Sequence, residues 1–127
     1  MTEGTFRRLA LSLSGAEEGE HQGHPDFRVG RRVFATLGYP RRGWAMVKLS
    51  PEAQAAFVGQ APDAFVPVKG AWGERGCTNV ILEHAATAHV RAALALACEA
   101  AAHAGERSAT SARVAAASRN KRRGSVS

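Results

Sequence analysis

The side chains of this sequence that could perform acid–base or metal chemistry are concentrated in the stretch EEGEHQGHPDFRV. His21, His24 and Asp26 follow one another closely, and two histidines with a carboxylate can hold zinc while one position stays open for a substrate. On a β-strand, residues three positions apart point to opposite faces, so only a bend at Gly23 or Pro25 would bring the two histidines together. We therefore favour histidines that bond to backbone groups at strand ends, and we expect no metal site.

Patterns typical of nucleophilic catalysis or phosphate binding are missing from the sequence. It contains neither a GxSxG elbow nor the glycine-rich loops GxGxxG and GxxxxGK[ST]. Glu17, Glu18 and Glu20 are more typical of a solvated surface than of a catalytic pair, which needs burial to separate two pKa values. Cys77 and Cys98 lie outside any CxxC motif, and we interpret both as reduced, apolar residues. We therefore expect a non-enzymatic protein without a cofactor.

Basic side chains lie at two predicted turns and in the C-terminal segment, where they could contact phosphate groups. Backbone phosphates are bound by such side chains without sequence preference, whereas the alternative is that the charges only keep the turns hydrated. The residues predicted to bind nucleic acid are Arg28, Arg31, Arg32, Arg41, Arg42, Lys121, Arg122 and Arg123.

A second candidate surface surrounds the tryptophans. Trp72, in the segment WGERG, could form the wall of a ligand pocket or stack on a base. We favour a third arrangement, in which Trp72 closes the open side of a sheet, because a chain with few aromatic residues needs its large rings for the core. If a pocket forms, the residues predicted to line it are His24, Trp44, Trp72 and Arg75.

The net charge of +6 is unevenly distributed along the chain. Residues 105–127 hold six basic residues and one acidic residue, whereas residues 1–104 hold 11 basic and 10 acidic residues. The C-terminal segment also contains few large hydrophobic residues, so burial cannot offset the entropy lost on ordering. We therefore predict one domain over residues 1–104 and a disordered basic tail over residues 105–127.

The hydrophobic patterns predict an α+β domain. Helices are expected over residues 3–13, from the cap Ser50-Pro51 to about Gly59, and from Thr87 to about His103. Strands are expected near residues 18–22, 27–29, 33–38, 44–49 and 78–83, with residues 65–72 irregular and a two-residue turn at Gly30-Arg31. Such an order of elements is typical of an antiparallel meander with helices packed on one face.

Within the strand at residues 33–38, Val33, Ala35 and Leu37 alternate with Phe34 and Thr36, which predicts that the two sets face opposite sides of the sheet. No apolar run approaches the length of a membrane span, and the apolar segment Leu9 to Leu13 is too short for the core of an export signal. We therefore expect a cytoplasmic protein that does not contact membranes.

Four segments of this chain form a recognisable series. They are E-x-H-x-x-H-P-x-F-R-V-G, V-F-A-T-L, W-A-M-V-K-L-S-P-E and W-G-x-x-G-x-T-N-V-x-L. Together they resemble the MmcQ/YjbR family over roughly residues 3–103. The resemblance implies a compact α+β fold of the CyaY or secretion-chaperone type. It also implies a frequent description as DNA-binding, attached to a double-wing arrangement, and it supplies no catalytic residues.

Two functions remain open from the sequence. The first is weak, non-specific DNA binding through the basic turns and the tail, which predicts one continuous positive surface. The alternative is a chaperone-like module that binds a small ligand or a protein, which predicts a pocket on the sheet face beside Trp72.

Overall fold

The structure, a computed structural model, describes residues 1–104 and contains within them six strands and four α-helices. The helices are α1 (Glu3–Leu11), α2 (Pro51–Gln60), α3 (Ala71–Glu74) and α4 (residues 87–104), and a short 3-10 helix spans Leu82–His84. The strands are β1 (Glu17–His21), β2 (His24–Val29), β3 (Arg32–Leu37), β4 (Trp44–Lys48), β5 (Phe65–Pro67) and β6 (Cys77–Ile81).

The six strands form one sheet in the order β1-β2-β3-β4-β6-β5, and all neighbouring strands are antiparallel. The first four strands make the predicted meander, and β6 then inserts between β4 and β5. The predicted α+β class is therefore confirmed. The segment predicted to be irregular contains the short strand β5 and the short helix α3 instead.

Two tight turns connect the first three strands. Gln22 and Gly23 have φ angles of 53° and 80°, and Gly30 and Arg31 have φ angles of 56° and 69°. Two successive positive φ angles match the twist of a two-residue hairpin turn. The turn predicted at Gly30-Arg31 is confirmed, and it fixes the register of β2 against β3.

A β-bulge interrupts the pairing of β2 with β3. Phe27 lies opposite Ala35, whereas Arg28 lies opposite Val33, so Phe34 is an extra residue without a partner of its own. A bulge changes the direction in which the following side chains point. It therefore alters the alternation of β3 at this position.

The alternation predicted for β3 is wrong at the bulge. Phe34 and Ala35, although adjacent, are both fully buried in the core together with Leu37. Val33 and Thr36 lie on the other side of the sheet, where they line a cleft. The bulge thus lets β3 place two consecutive side chains in the core, and it reverses the alternation between Val33 and the residues that follow.

Helices α1, α2 and α4 pack on one face of the sheet and form the hydrophobic core with it. The Phe6 ring from α1 lies 6.0 Å from the Phe27 ring, and the Phe57 ring from α2 lies 5.1 Å from the Phe65 ring. Because each buried aromatic side chain contributes several kcal/mol, about 3–5 when it is replaced by alanine, these contacts hold the helices against the sheet. Other buried members are Ala10, Ala45, Val47, Val80, Leu82, Val90 and Leu94.

Side-chain caps begin the first two helices. The Thr2 hydroxyl accepts a hydrogen bond from the Thr5 amide at 3.1 Å, and the Ser50 hydroxyl accepts one from the Ala53 amide at 3.1 Å. Pro51 occupies the first turn of α2, where its missing N–H has no intrahelical partner to lose. The start predicted for α2 is therefore confirmed.

The two edges of the sheet are built from unlike strands. β1 carries exposed Glu17, Glu18 and Glu20, and the Glu18 carboxylate bonds to Arg7 of α1 at 3.0 Å. β5, at the other edge, has three residues and ends at Pro67.

Both cysteines are free and buried. The described part of the chain contains no helix that is long and apolar enough to cross a membrane. The predicted tail, with Lys121, Arg122 and Arg123, lies outside the described residues.

Candidate ligand-binding site

The face of the sheet opposite the core, called here the cleft face, carries a cleft of about 870 Å³. Its floor is a row of residues from four neighbouring strands. Asp26 pairs with Thr36, Thr36 with Met46, and Met46 with Asn79. Since cross-strand partners point to the same face, the row runs straight across the sheet beneath the cleft.

Trp44 and Arg41 form one end of the cleft. The Arg41 guanidinium carbon lies 5.6 Å from the centre of the Trp44 ring, a cation–π distance. The loop before β4 is held at two points: the Gly38 amide donates to the Trp44 carbonyl at 2.8 Å, and the Gly43 amide donates to the Glu3 carboxylate at 2.7 Å. Helix α1 therefore fixes the loop that carries Arg41.

Trp72 forms the other end, where two cations approach its ring. The Lys48 ammonium lies 5.9 Å and the Arg75 guanidinium carbon 5.6 Å from the Trp72 ring centre. Trp72 is 58% exposed, so the prediction that it closes the open side of the sheet is wrong. Its ring instead lines a surface that is open to solvent, as the pocket alternative requires.

Gln54 of α2 holds the segment that carries Trp72. Its side-chain amide donates hydrogen bonds to the carbonyl oxygens of Gly73 and Cys77, each at 3.0 Å. One side chain thus joins α2 to both α3 and the start of β6. It is a positioning residue, because it acts on Trp72 through the backbone of the next residue.

We predict that Gln54→Ala lowers the free energy of unfolding by about 1–3 kcal/mol, because two hydrogen bonds are lost. The carbonyls themselves keep a backbone donor each, from Gly76 to Gly73 and from Val68 to Cys77. Gln54→Glu is expected to cost more at neutral pH, since a carboxylate would face two carbonyl oxygens. That arrangement raises the pKa of the new carboxyl group in the folded state. The stability of the Gln54→Glu variant therefore falls as pH rises from the unfolded-state pKa through the raised folded-state pKa, and it recovers in acid.

Urea unfolding of both Gln54 variants at neutral and at mildly acidic pH measures these effects. Gln60→Ala, at an exposed position of the same helix, is the matched control and should stay within about 0.5 kcal/mol of the native chain. Equal stability of the Gln54→Glu variant at both pH values would contradict the assigned hydrogen bonds.

Asp26 and Arg28 form a two-point ion pair on the cleft wall. Arg28 Nε lies 2.8 Å from Asp26 Oδ1, and Arg28 Nη2 lies 2.9 Å from Asp26 Oδ2. Asp26 is only 1% exposed, and its hydrogen bonding raises the pKa of Arg28. Gly19, which lies opposite Asp26 on β1, leaves room for the ion pair, because a Cβ at this position would lie 2.8 Å from Asp26 Oδ1.

This ion pair also bears on the acid–base and metal alternative. His21 and His24 lie directly opposite each other across the β1–β2 turn, but the His24 ring packs against Tyr39 at 5.3 Å and the Asp26 carboxylate is engaged by Arg28. Among residues 1–104, no group of three or more His, Cys, Asp or Glu side chains is arranged to hold a metal ion.

The predicted arginine pairs lie at opposite ends of β3, which is six residues long and therefore spans roughly 20 Å. Arg41 lines the cleft, as does Arg28, whereas Arg31 lies in the turn at the far end of the strand and Arg32 is the first residue of the strand itself. Of the residues predicted to line a pocket, Trp44 and Trp72 do so, His24 does not, and Arg75 approaches the cleft through its contact with Trp72.

The Cys77 thiol lines the cleft opposite Lys48 in the sheet. Burial raises the pKa of the Cys77 thiol, although the charges of Lys48 and Arg75 act in the opposite direction. Burial also raises the pKa of Cys98, in α4. Since the thiolate is the nucleophilic form, the raised pKa keeps Cys77 poorly reactive near neutral pH.

The sequence model of the YjbR family matches residues 11–100, which include every strand of the sheet and the whole cleft. The chain belongs to the YjbR family. Neither a search of curated proteins nor a search of solved structures returned a significant match. The family therefore establishes what kind of domain this is, and the site must be interpreted from its own residues.

Several side chains that line the cleft of this YjbR domain were missed by sequence reasoning. Alternate residues of β4 carried the signal, because Trp44, Met46 and Lys48 must share one face if Ala45 and Val47 face the core. The missed lining residues include Thr36, Met46, Lys48, Lys69 and Asn79.

Proposed function

We propose that this YjbR-family chain is a non-enzymatic binding module that holds an anionic ligand with a flat ring on the cleft face of its sheet. The observation that carries the proposal is the pairing of tryptophan with a cation at both ends of the cleft. A ring stacked on an exposed tryptophan gains about 1–3 kcal/mol, and an adjacent cation attracts the ligand's negative charge.

The charges of the cleft also favour an anion. Asp26 is the carboxylate that lines it, and Arg28 neutralises this group. Arg41, Lys48 and Lys69 add positive charge around the cleft. Residues 1–104 have a net charge of only +1, from 11 basic and 10 acidic residues, so the positive charge is concentrated where a ligand would bind.

Two groups of the cleft, Asp26 and Cys77, are poorly suited to catalysis, which supports binding. Asp26 holds Arg28, and Cys77 has a raised pKa. Two free, buried cysteines suit a reducing compartment, and we propose that the module acts in the cytoplasm.

NMR titration of the ¹⁵N-labelled chain with adenosine 5′-monophosphate and with adenosine tests this proposal. The chain contains two tryptophans, both in the cleft, so the two indole N–H signals report on the site directly. We expect both signals and the Lys48 amide to shift with the phosphate-bearing compound, and less with adenosine. Lys48→Ala and Trp72→Ala should each weaken binding at least about fivefold.

Arg91→Ala is the matched control, because Arg91 is an exposed cation on α4, which packs on the opposite face of the sheet. It should leave the titration unchanged. Shifts confined to the helices, or equal shifts with adenosine and its monophosphate, would overturn the proposal.

Weak, non-specific binding of duplex DNA through the basic turns and the C-terminal segment is a second candidate. Two exposed residues favour it, Arg31 in the β2–β3 turn and Arg32 beside it at the start of β3, because a tight hairpin turn projects from the sheet and can reach a phosphate backbone. Fluorescence anisotropy with a labelled duplex across a salt series tests it. Binding that weakens in an Arg31→Ala, Arg32→Ala double variant but not in Lys48→Ala supports the turns as contact points, and the reverse pattern contradicts them.

A further inference from the structure

The two tryptophans of the cleft lie at opposite ends of strand β4. Trp44 is the first residue of the strand, and Trp72 lies over Lys48, which is the last. At about 3.3 Å per residue, the Cα atoms of Trp44 and Lys48 are about 13 Å apart. We therefore expect a single heterocyclic ring to stack on one tryptophan at a time.

Each tryptophan has its own cation, and the part of the floor on the three central strands, without Asp26 of β2, is uncharged. Arg41 lies over Trp44, and Lys48 and Arg75 lie over Trp72. Between these ends, the central strands β3, β4 and β6 supply Thr36, Met46 and Asn79 to the floor. Negative charge on the ligand is therefore expected beside each ring rather than midway between two rings.

We infer that the cleft binds a short segment of single-stranded nucleic acid, with one base on Trp44, another on Trp72 and phosphates beside Arg41 and Lys48. The inference rests on the proposed function and names its ligand. In a single strand every base has an adjacent phosphate and an accessible face, so stacking and charge neutralisation occur together at both ends.

Two related ligands fit the cleft less well. A dinucleotide cofactor also has two rings, but its phosphates lie between them, above the uncharged floor. A duplex keeps its bases paired and stacked inside, so it offers no free base faces to the two tryptophans. Both remain as outcomes of the test.

The experiment measures the affinity of the full chain for a labelled octathymidylate and for unlabelled competitors. The competitors are thymidine 5′-monophosphate, the thymidylate dinucleotide, NAD and a blunt duplex. We expect the octamer to bind at least about tenfold more tightly than the mononucleotide, because only the octamer engages both tryptophans. Trp44→Ala and Trp72→Ala should each weaken octamer binding about tenfold.

If the half-buried Trp44 is needed for folding, substitutions of two exposed cations still test the inference. Arg41→Ala and Lys48→Ala should each weaken octamer binding and reduce its salt dependence by about one phosphate contact. Leu96→Ala, at an exposed apolar position of α4, is the control and should bind like the native chain. A full-length variant with Lys121, Arg122 and Arg123 replaced by glutamine should retain the length dependence.

The outcomes separate this inference from the proposed function. Equal affinity for the mononucleotide and the octamer, with both sensitive to Lys48→Ala, overturns the inference but leaves a single-ring anion site. Tighter binding of NAD or of the duplex than of the octamer also overturns it. If no compound binds in a way that depends on the cleft residues, the proposed function fails as well.

Discussion

Replacing Gly73 with alanine is expected to lower the free energy of unfolding by at least about 4 kcal/mol, a loss that few single substitutions reach. A Cβ at this position would overlap the Val68 carbonyl oxygen and would lie 2.7 Å from the carbonyl carbon. Both atoms belong to backbone that is held by a hydrogen bond from the Val68 amide to the Cys77 carbonyl at 3.0 Å. The obstacle therefore cannot rotate away as a flexible side chain would.

Gly59→Ala is the matched control for this substitution. Gly59 lies in α2, and a Cβ there meets nothing within 4 Å, so alanine should stabilise the chain by about 0.5–1 kcal/mol through its higher helix propensity. Urea unfolding followed by far-UV circular dichroism compares the two. A Gly73→Ala variant as stable as the native chain would contradict the close approach of α3 to the segment before it.

The Gly73→Ala substitution also tests how Trp72 is placed. Because Gly73 directly follows Trp72 in α3 and accepts a hydrogen bond from Gln54, any folded Gly73→Ala protein must have moved this segment. We expect the Trp72 indole signal to shift while the Trp44 signal is retained. An unchanged Trp72 signal in a destabilised protein would mean that the strain is relieved elsewhere.

Phe27→Ala is expected to lower the free energy of unfolding by about 3–5 kcal/mol, because the fully buried ring leaves a cavity that its neighbours fill only in part. The Phe27 side chain has no exposed surface and contacts the ring of Phe6. Phe27→Leu keeps most of the apolar volume and should cost about 1–1.5 kcal/mol. Urea unfolding curves of the two variants measure the difference.

Phe27 lies between Asp26 and Arg28 but faces the core, so the substitution separates stability from the cleft. The folded fraction of Phe27→Leu should keep its ligand affinity, since the cleft residues on either side are unchanged. Leu96→Ala, at a position that is 46% exposed, serves as the control and should cost less than about 1 kcal/mol. A loss of stability for Phe27→Ala as small as that of Leu96→Ala would contradict the burial of the Phe27 ring.

The local features of this fold were predictable because each depends on a few adjacent residues. Ser50-Pro51 marks the start of α2 through a cap and a fixed φ angle, and Gly30-Arg31 marks a hairpin turn through positive φ. Neither rule requires knowledge of the rest of the chain. The meander followed from them, since short connections join strands that are neighbours in the sheet.

The features that were missed depend on residues far apart in the sequence. The bulge at Phe34 follows from how β3 fits between β2 and the core, and no residue type in the segment VFATL requires it. The exposure of Trp72 follows from bonds between α2 and the segment after β5. A count of aromatic residues predicted burial, but packing around Phe27, Phe34 and Phe65 fills the core without Trp72.

The candidate site was predicted in part. Trp44 and Trp72 were named as lining residues because an aromatic ring suits a pocket wall, and the structure places both in the cleft. Asp26 was considered with the histidines nearest to it in sequence, whereas its partner is Arg28, two positions further along the same strand. The strand period of two residues indicates this contact, because it places the side chains of Asp26 and Arg28 on the same face of β2.

The composition of the two sheet edges affects how copies of this protein meet in concentrated solution. A strand at an edge offers unpaired backbone groups to a strand of another molecule, and charged residues, short length and proline all oppose that pairing. β1 presents three glutamates, and β5 offers three residues that end in a proline. Edge-to-edge growth into fibres is thereby disfavoured at both ends of the sheet, so the cleft face can stay accessible without the sheet becoming a template for aggregation.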